Sequence, residues 1–79
     1  MKLKTFIKKY TEPNSLIRLW VRTIEGYKMI VPFVGMNWTV TKPNTTFYCY
    51  RNYNVTGIAS ILINDNYPET INIVIEHET

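Results

Sequence analysis

The side chains with the clearest chemical potential alternate along one short segment, residues 15 to 23 (SLIRLWVRT). If this segment is a β-strand, Arg18, Trp20 and Arg22 share one face, because successive side chains of a strand point to opposite faces. An indole between two guanidinium groups can stack on a base, hold phosphates or anchor a protein interface. Because burying an unpaired guanidinium is costly, we expect this face to be exposed.

A second group of aromatic and cationic side chains follows at residues 47 to 53 (FYCYRNY). Such a group is typical of surfaces that stack single-stranded nucleic acid, although aromatic residues are also the preferred filling of strands. For both groups, the alternative to binding a partner is that the aromatic side chains pack in the core. Together they provide the predicted partner-binding residues, which are Arg18, Trp20, Arg22, Lys28, Tyr48, Tyr50 and Arg51.

Groups suited to catalysis or metal binding are few. The chain has one cysteine, Cys49, which we expect to be buried and inert, and one histidine, His77, near the end of the sequence. One of each does not make a structural zinc site. The three glycines form no phosphate-binding loop. We therefore predict a protein that is not an enzyme and has no cofactor and no metal.

Length and charge limit the remaining possibilities. A chain of 79 residues, 46% of them hydrophobic, predicts a single domain over residues 1–79. All nine basic residues fall within residues 1–51, where the charge balance is +7, and residues 52–79 carry −4. The basic part can attract an acidic partner or simply be solvated. No signal-peptide core and no apolar run of ~20 residues is present, so we predict a cytoplasmic protein without a membrane partner.

The elements that position these side chains begin with a helix. Apolar residues at helical spacing predict an amphipathic helix that ends by Thr11, before Pro13. Lys4 and Lys8 flank its apolar face on one side, and Lys9 flanks it on the other. The strand at residues 15–23 then turns at Gly26 into a second strand, residues 27–34. A three-residue loop pairs Val21 with Met29, keeps the core apart from the cations and places Gly26 at positive φ; we predict this register.

The rest of the chain is predicted to be mainly strand. Residues 36–41 and 45–51 form a hairpin, residues 55–63 form a strand with a bulge at Gly57, residues 64–69 form a loop, and residues 70–76 form the last strand. The predicted fold class is α+β, with a short N-terminal helix packed on an antiparallel meander of five or six strands. A small β-barrel is the alternative. The apolar last strand and the thin core predict a homodimer joined through a strand edge.

Several stretches resemble short proteins encoded by bacteriophages and prophages. They are Phe6-Ile7 with Lys9-Tyr10-Thr11, residues 14–20 (NSLIRLW), and residues 55–76, which include SILIND and YPETINIVIE. Residues 35–54 do not share this resemblance. The resemblance implies a phage origin, a host cytoplasm and action by stoichiometric binding, for example as an inhibitor of a host defence complex.

The sequence therefore leaves two predicted functions. The first is a non-catalytic phage-type accessory protein that binds a host protein or ribonucleoprotein complex as an anti-defence, anti-CRISPR-like inhibitor. The alternative is a binder of single-stranded nucleic acid or of a signalling nucleotide through the basic and aromatic face.

Overall fold

The computed structural model describes residues 1–59 and 69–77. Helix α1 comes first and is followed by three strands, two 3-10 helices and two further strands. Their bounds are α1 Leu3–Tyr10, β1 Leu16–Thr23, β2 Gly26–Met29, β3 Gly35–Met36, the first 3-10 helix Asn37–Thr41, the second 3-10 helix Phe47–Tyr50, β4 Asn54–Ile58 and β5 Ile71–Glu76.

The strands form one sheet in the order β2-β1-β5-β4, and β3 pairs with the start of β1. The α+β class and the N-terminal helix are confirmed. The antiparallel meander is wrong, because β5 lies between β1 and β4 and runs parallel to β1, with Ile17 opposite Ile71. Within the described residues the sheet is open, so the barrel alternative is also wrong. Local sequence patterns predict strands but not this long-range insertion.

The hydrophobic core lies between α1 and one face of the sheet. The helix buries the side chains predicted by its periodicity, Leu3, Phe6 and Ile7. They pack on a central layer from β1 and β5 and on side chains of the intervening segments: Ile17, Leu19, Val31, Val40, Phe47, Ile73 and Ile75. This arrangement fixes α1 beside the first 3-10 helix.

The second face of the central strands is also buried. Arg18 is 4% exposed and Trp20 is 7% exposed, so the prediction that both point into solvent is wrong. The indole Nε1 of Trp20 donates a 3.0 Å hydrogen bond to Oδ1 of Asn72 on β5. Strands with a parallel neighbour are commonly covered on both faces, which removes the apolar-in, polar-out pattern assumed for β1.

The predicted register of the first hairpin is wrong. Trp20, not Val21, lies opposite Met29, and the loop is the two residues Ile24 and Glu25. The hydroxyl of Thr23 donates to the carbonyl of Gly26 at 3.0 Å, which closes this tighter turn. Because Trp20 is buried, the register does not have to separate an apolar face from a solvated one. The predicted positive φ of Gly26 is confirmed at 128°.

Replacing Gly26 with alanine should lower the free energy of unfolding by about 1 kcal/mol, since L side chains rarely adopt a φ this positive. A Cβ at Gly26 meets no atom of the described residues within 4 Å, so the expected loss comes from the backbone conformation. Urea denaturation measures it. Gly57→Ala is the control, because Gly57 also has open space around it and no positive φ. Equal stability of the two variants would contradict the prediction.

The hairpin predicted for residues 36–41 and 45–51 is wrong, because most of these residues form the two 3-10 helices. Threonine hydroxyls donate to nearby carbonyls: Thr39 to Met36 at 2.6 Å, and Thr41 to Trp38 at 3.0 Å. Such local bonds compete with strand pairing. Without strand alternation, Cys49 is exposed rather than buried.

The last two strands agree better with the sequence. The register of β4 shifts between Val55 and Gly57, as the predicted bulge requires. The predicted strand beyond residue 59 and the predicted loop at residues 64–68 lie outside the described residues. Strand β5 matches the predicted last strand, but both of its edges are paired, so self-association through those edges is wrong. The homodimer itself stays a prediction.

Candidate binding groove

The basic face predicted around Trp20 does not exist as one surface. Arg18 and Trp20 are buried, whereas Arg22 and Lys28 are exposed on the hairpin. Arg22 lies opposite Tyr27, and Lys28 lies opposite Val21. The two exposed cations are therefore separated from the indole that was expected to lie between them.

Arg22 instead borders a shallow cleft of about 490 Å³ at the end of the sheet, together with Tyr27, Glu76 and His77. The imidazole of His77 contacts the ring of Tyr53 edge-on, with centroids 5.0 Å apart. Within the described part of the chain, no three His, Cys, Asp or Glu side chains cluster as metal ligands would.

The predicted aromatic group lies on and beside the second 3-10 helix. Tyr48 is half-buried and carries the guanidinium carbon of Arg51 over its ring, 3.8 Å from the centroid. Arg51 also donates from Nη1 to the carbonyl of Tyr48 at 2.9 Å. Tyr50 packs against the core. The carbonyl of Arg51 accepts the backbone N–H of Lys4 at 3.0 Å, which places this segment beside the start of α1.

A larger concave surface runs between α1 and the first 3-10 helix. It consists of two adjoining cavities of about 450 and 590 Å³ that share Lys4, Lys8 and Thr41. We call their combined surface the lysine groove. Its principal residues come from α1 and from the first 3-10 helix: Lys4, Lys8, Lys9, Asn37, Trp38 and Thr41.

The turn between α1 and β1 positions one wall of the groove. The N–H of Ser15 donates to the carbonyl of Glu12 at 3.1 Å, and Asn14 has a φ of 65°. In the turn formed by residues 12–15, Pro13 takes the second position and Asn14 the third. Proline followed by asparagine at positive φ is typical of a type II turn. The side chain of Asn14 then accepts a 3.1 Å hydrogen bond from Nε1 of Trp38. The indole is thereby anchored at its polar edge while 43% of the residue remains exposed.

Asn37 connects the same turn to the floor of the groove. Its Nδ2 donates to Oγ1 of Thr11 and to the carbonyl of Glu12, both at 2.8 Å. Its backbone N–H donates to the carbonyl of Ser15 at 2.8 Å. These bonds connect the first 3-10 helix to the segment that follows α1.

The lysines give the groove its charge. Lys4 and Lys8 are one helical turn apart on α1, and both line both cavities. Lys9 lines one cavity, and Nζ of Lys42 lies 5.3 Å from the centroid of the Trp38 ring. No carboxylate is among the described residues that line the groove. The sign of the field favours an anionic ligand.

Sequence reasoning therefore missed most of this site. The lysines were recognised only as the flanks of an amphipathic helix, which is how solvated lysines also appear. Trp38 lies in a segment (NWTVT) that was predicted as strand. The usable signal was the threonine-rich surroundings of Trp38, because threonine hydroxyls bond to local carbonyls in turns and short helices.

Comparison with protein-family models, with curated proteins and with solved structures finds no match to this chain. The described residues contain no helix with the length and apolar character needed to cross a bilayer.

Proposed function

We propose that this chain is a non-catalytic binding protein that holds an anionic macromolecular partner in the lysine groove. The observation that carries the proposal is the presence of three lysines, Lys4, Lys8 and Lys9, at a concave surface whose described lining has no carboxylate. Complementary charge of this kind attracts a partner and orients it.

Some of these lysines do not stabilise helix α1. Like charges four residues apart destabilise a helix by about 0.2–0.5 kcal/mol, which applies to Lys4 and Lys8. Lys8 and Lys9 lie in the last turn, where they interact favourably with the helix dipole, but Lys4 lies in the first turn. The first turn also has no acidic residue. An anionic partner offsets both unfavourable terms.

The resemblance to phage-encoded proteins supplies the finer form of the proposal. In that form the partner is a host protein or ribonucleoprotein complex, and occupation of its anionic surface inhibits it, as an anti-CRISPR-like protein would. Action by stoichiometric binding requires no catalytic group, and the proposal uses none.

The test compares two variants with the same change in net charge. Lys4→Glu with Lys8→Glu alters the groove, and Arg22→Glu with Lys28→Glu alters the β1–β2 hairpin. Binding to a labelled single-stranded oligonucleotide and to a labelled polyglutamate peptide is measured by fluorescence anisotropy. We expect the groove variant to lose at least about tenfold in affinity for the polyanion that binds, and the hairpin variant to lose less than about threefold.

Circular dichroism on both variants checks that α1 and the sheet remain folded. Equal losses of affinity in the two variants would mean that net charge alone causes binding. If the unaltered protein binds neither the oligonucleotide nor polyglutamate, the proposed function is wrong.

A further inference from the structure

Asn37, which lines the groove, has a side-chain oxygen without a hydrogen-bond partner among the described residues. Asn37 is 6% exposed, and its Oδ1 is buried without any hydrogen-bond donor. A buried acceptor left in this state is less favourable than one that is paired. Asn37 also lines the cavity of about 450 Å³ that contains Trp38.

The orientation of the Asn37 amide follows from its neighbours. Nδ2 lies 2.8 Å from the carbonyl oxygen of Glu12, which can only accept a hydrogen bond. Exchanging the amide oxygen and nitrogen would set two acceptors against each other. The hydrogen bonds of Thr11 support this assignment. Its hydroxyl donates its proton to the carbonyl of Ile7 at 2.6 Å, so its oxygen can accept from Nδ2 of Asn37. The unpaired atom is therefore the oxygen, and its natural partner is an N–H or O–H group. Because this oxygen is buried, a donor in the groove reaches it only when the residues that line the cavity move aside.

Three features of the groove must be matched by one occupant. It needs anionic groups for Lys4 and Lys8, a hydrogen-bond donor for Asn37, and a flat group for the exposed indole of Trp38. An acidic peptide supplies carboxylates and backbone N–H donors, but its acidic side chains offer no flat face for the indole. A nucleotide carries phosphate, a base N–H and an aromatic face in one unit.

We propose that the lysine groove binds single-stranded nucleic acid, with phosphates along Lys4, Lys8 and Lys9 and one base against Trp38 that donates an N–H to Oδ1 of Asn37. This inference rests on the coarser form of the proposed function, an anionic partner in the lysine groove, and names that partner as nucleic acid in place of a host protein. A strand rather than a free nucleotide is favoured because the two cavities adjoin and the lysines continue from one into the other. Aromatic side chains next to a track of cations are the common arrangement for single strands.

The experiment varies the base while it keeps the phosphates. Three labelled strands of about eight nucleotides are compared, within the range of a small single-strand site. They are oligothymidylate, the same strand with N3-methylthymine, which has lost the only N–H donor of the base, and an abasic strand. A polyglutamate peptide of equal charge is the fourth probe. All four are titrated into the intact protein.

We expect oligothymidylate to bind at least about tenfold more tightly than the abasic strand, and the N3-methyl strand to lose most of that advantage. Trp38→Ala should reduce the ratio of the affinities for oligothymidylate and for the abasic strand by about 5- to 100-fold. Trp38→Phe, which keeps an aromatic face, should reduce this ratio less. Asn37 is not substituted, because its Nδ2 bonds also support the fold.

Failure of this inference is distinguishable from failure of the proposed function. Equal binding of oligothymidylate and the abasic strand, or binding of polyglutamate alone, would overturn the inference and leave an anionic partner in the groove. Equal binding of the thymine and N3-methylthymine strands would overturn the role of Asn37. If none of the probes binds, or if Lys4→Glu with Lys8→Glu leaves binding unchanged, both proposals are wrong.

Discussion

Replacing Arg18 with glutamate should lower the free energy of unfolding by about 3 kcal/mol or more. The side chain is 4% exposed in the central strand β1 and lies opposite Asn72 of β5. A carboxylate at this position loses its hydration and leaves the space of the longer guanidinium side chain unfilled. Because small domains are stable by only about 5–15 kcal/mol, this is a large fraction of the total.

Arg22→Glu is the matched control for Arg18→Glu. It makes the same chemical change four residues further along the same strand, but Arg22 is exposed. Surface substitutions of this kind change stability by about 0.5 kcal/mol or less. Guanidinium chloride denaturation of both variants gives the comparison. Equal midpoints would show that Arg18 is solvated and would restore the exposed basic face expected from the sequence.

The second large effect is expected for Gly35→Ala, which should cost about 1–3 kcal/mol through overpacking. A Cβ at Gly35 would lie 3.0 Å or less from three ring carbons of Phe47. That ring is 2% exposed and contacts Phe33 edge-on, with centroids 5.6 Å apart. Because it is enclosed in the core, it has little freedom to move aside. Thermal and chemical denaturation measure the loss.

A second substitution identifies the cause. In the Gly35→Ala background, Phe47→Leu removes the two ring carbons closest to the new methyl group, Cε2 and Cζ. The two substitutions together should therefore cost less than the sum of their separate effects. Gly57→Ala, whose Cβ has no atom of the described residues within 4 Å, should change stability little and serves as the control. Strict additivity of Gly35→Ala and Phe47→Leu would contradict the predicted clash.

The candidate site was only partly predictable. The sequence located all nine cations in residues 1–51 and placed Lys4 and Lys8 on one flank of a helix. It also singled out Arg51, whose carbonyl accepts the backbone N–H of Lys4 near the start of that helix. It did not predict Trp38 or Asn37 in the groove, because their positions depend on hydrogen bonds to the turn after α1, more than 20 residues away. Bonds between distant segments leave no periodic signal.

The sequence by itself determined the local features of this protein: the apolar face of α1, the end of that helix before Pro13, the strands β1 and β5, and the positive φ of Gly26. Each depends on side-chain spacing or on backbone limits that operate over a few residues. Alternation in β1 likewise determined that Arg18 and Trp20 share a face. Only the tertiary structure decided that this face is buried, because β5 pairs in parallel with β1 and the central pair is covered on both sides. Alternation specifies which side chains lie together, whereas their exposure depends on what packs over them.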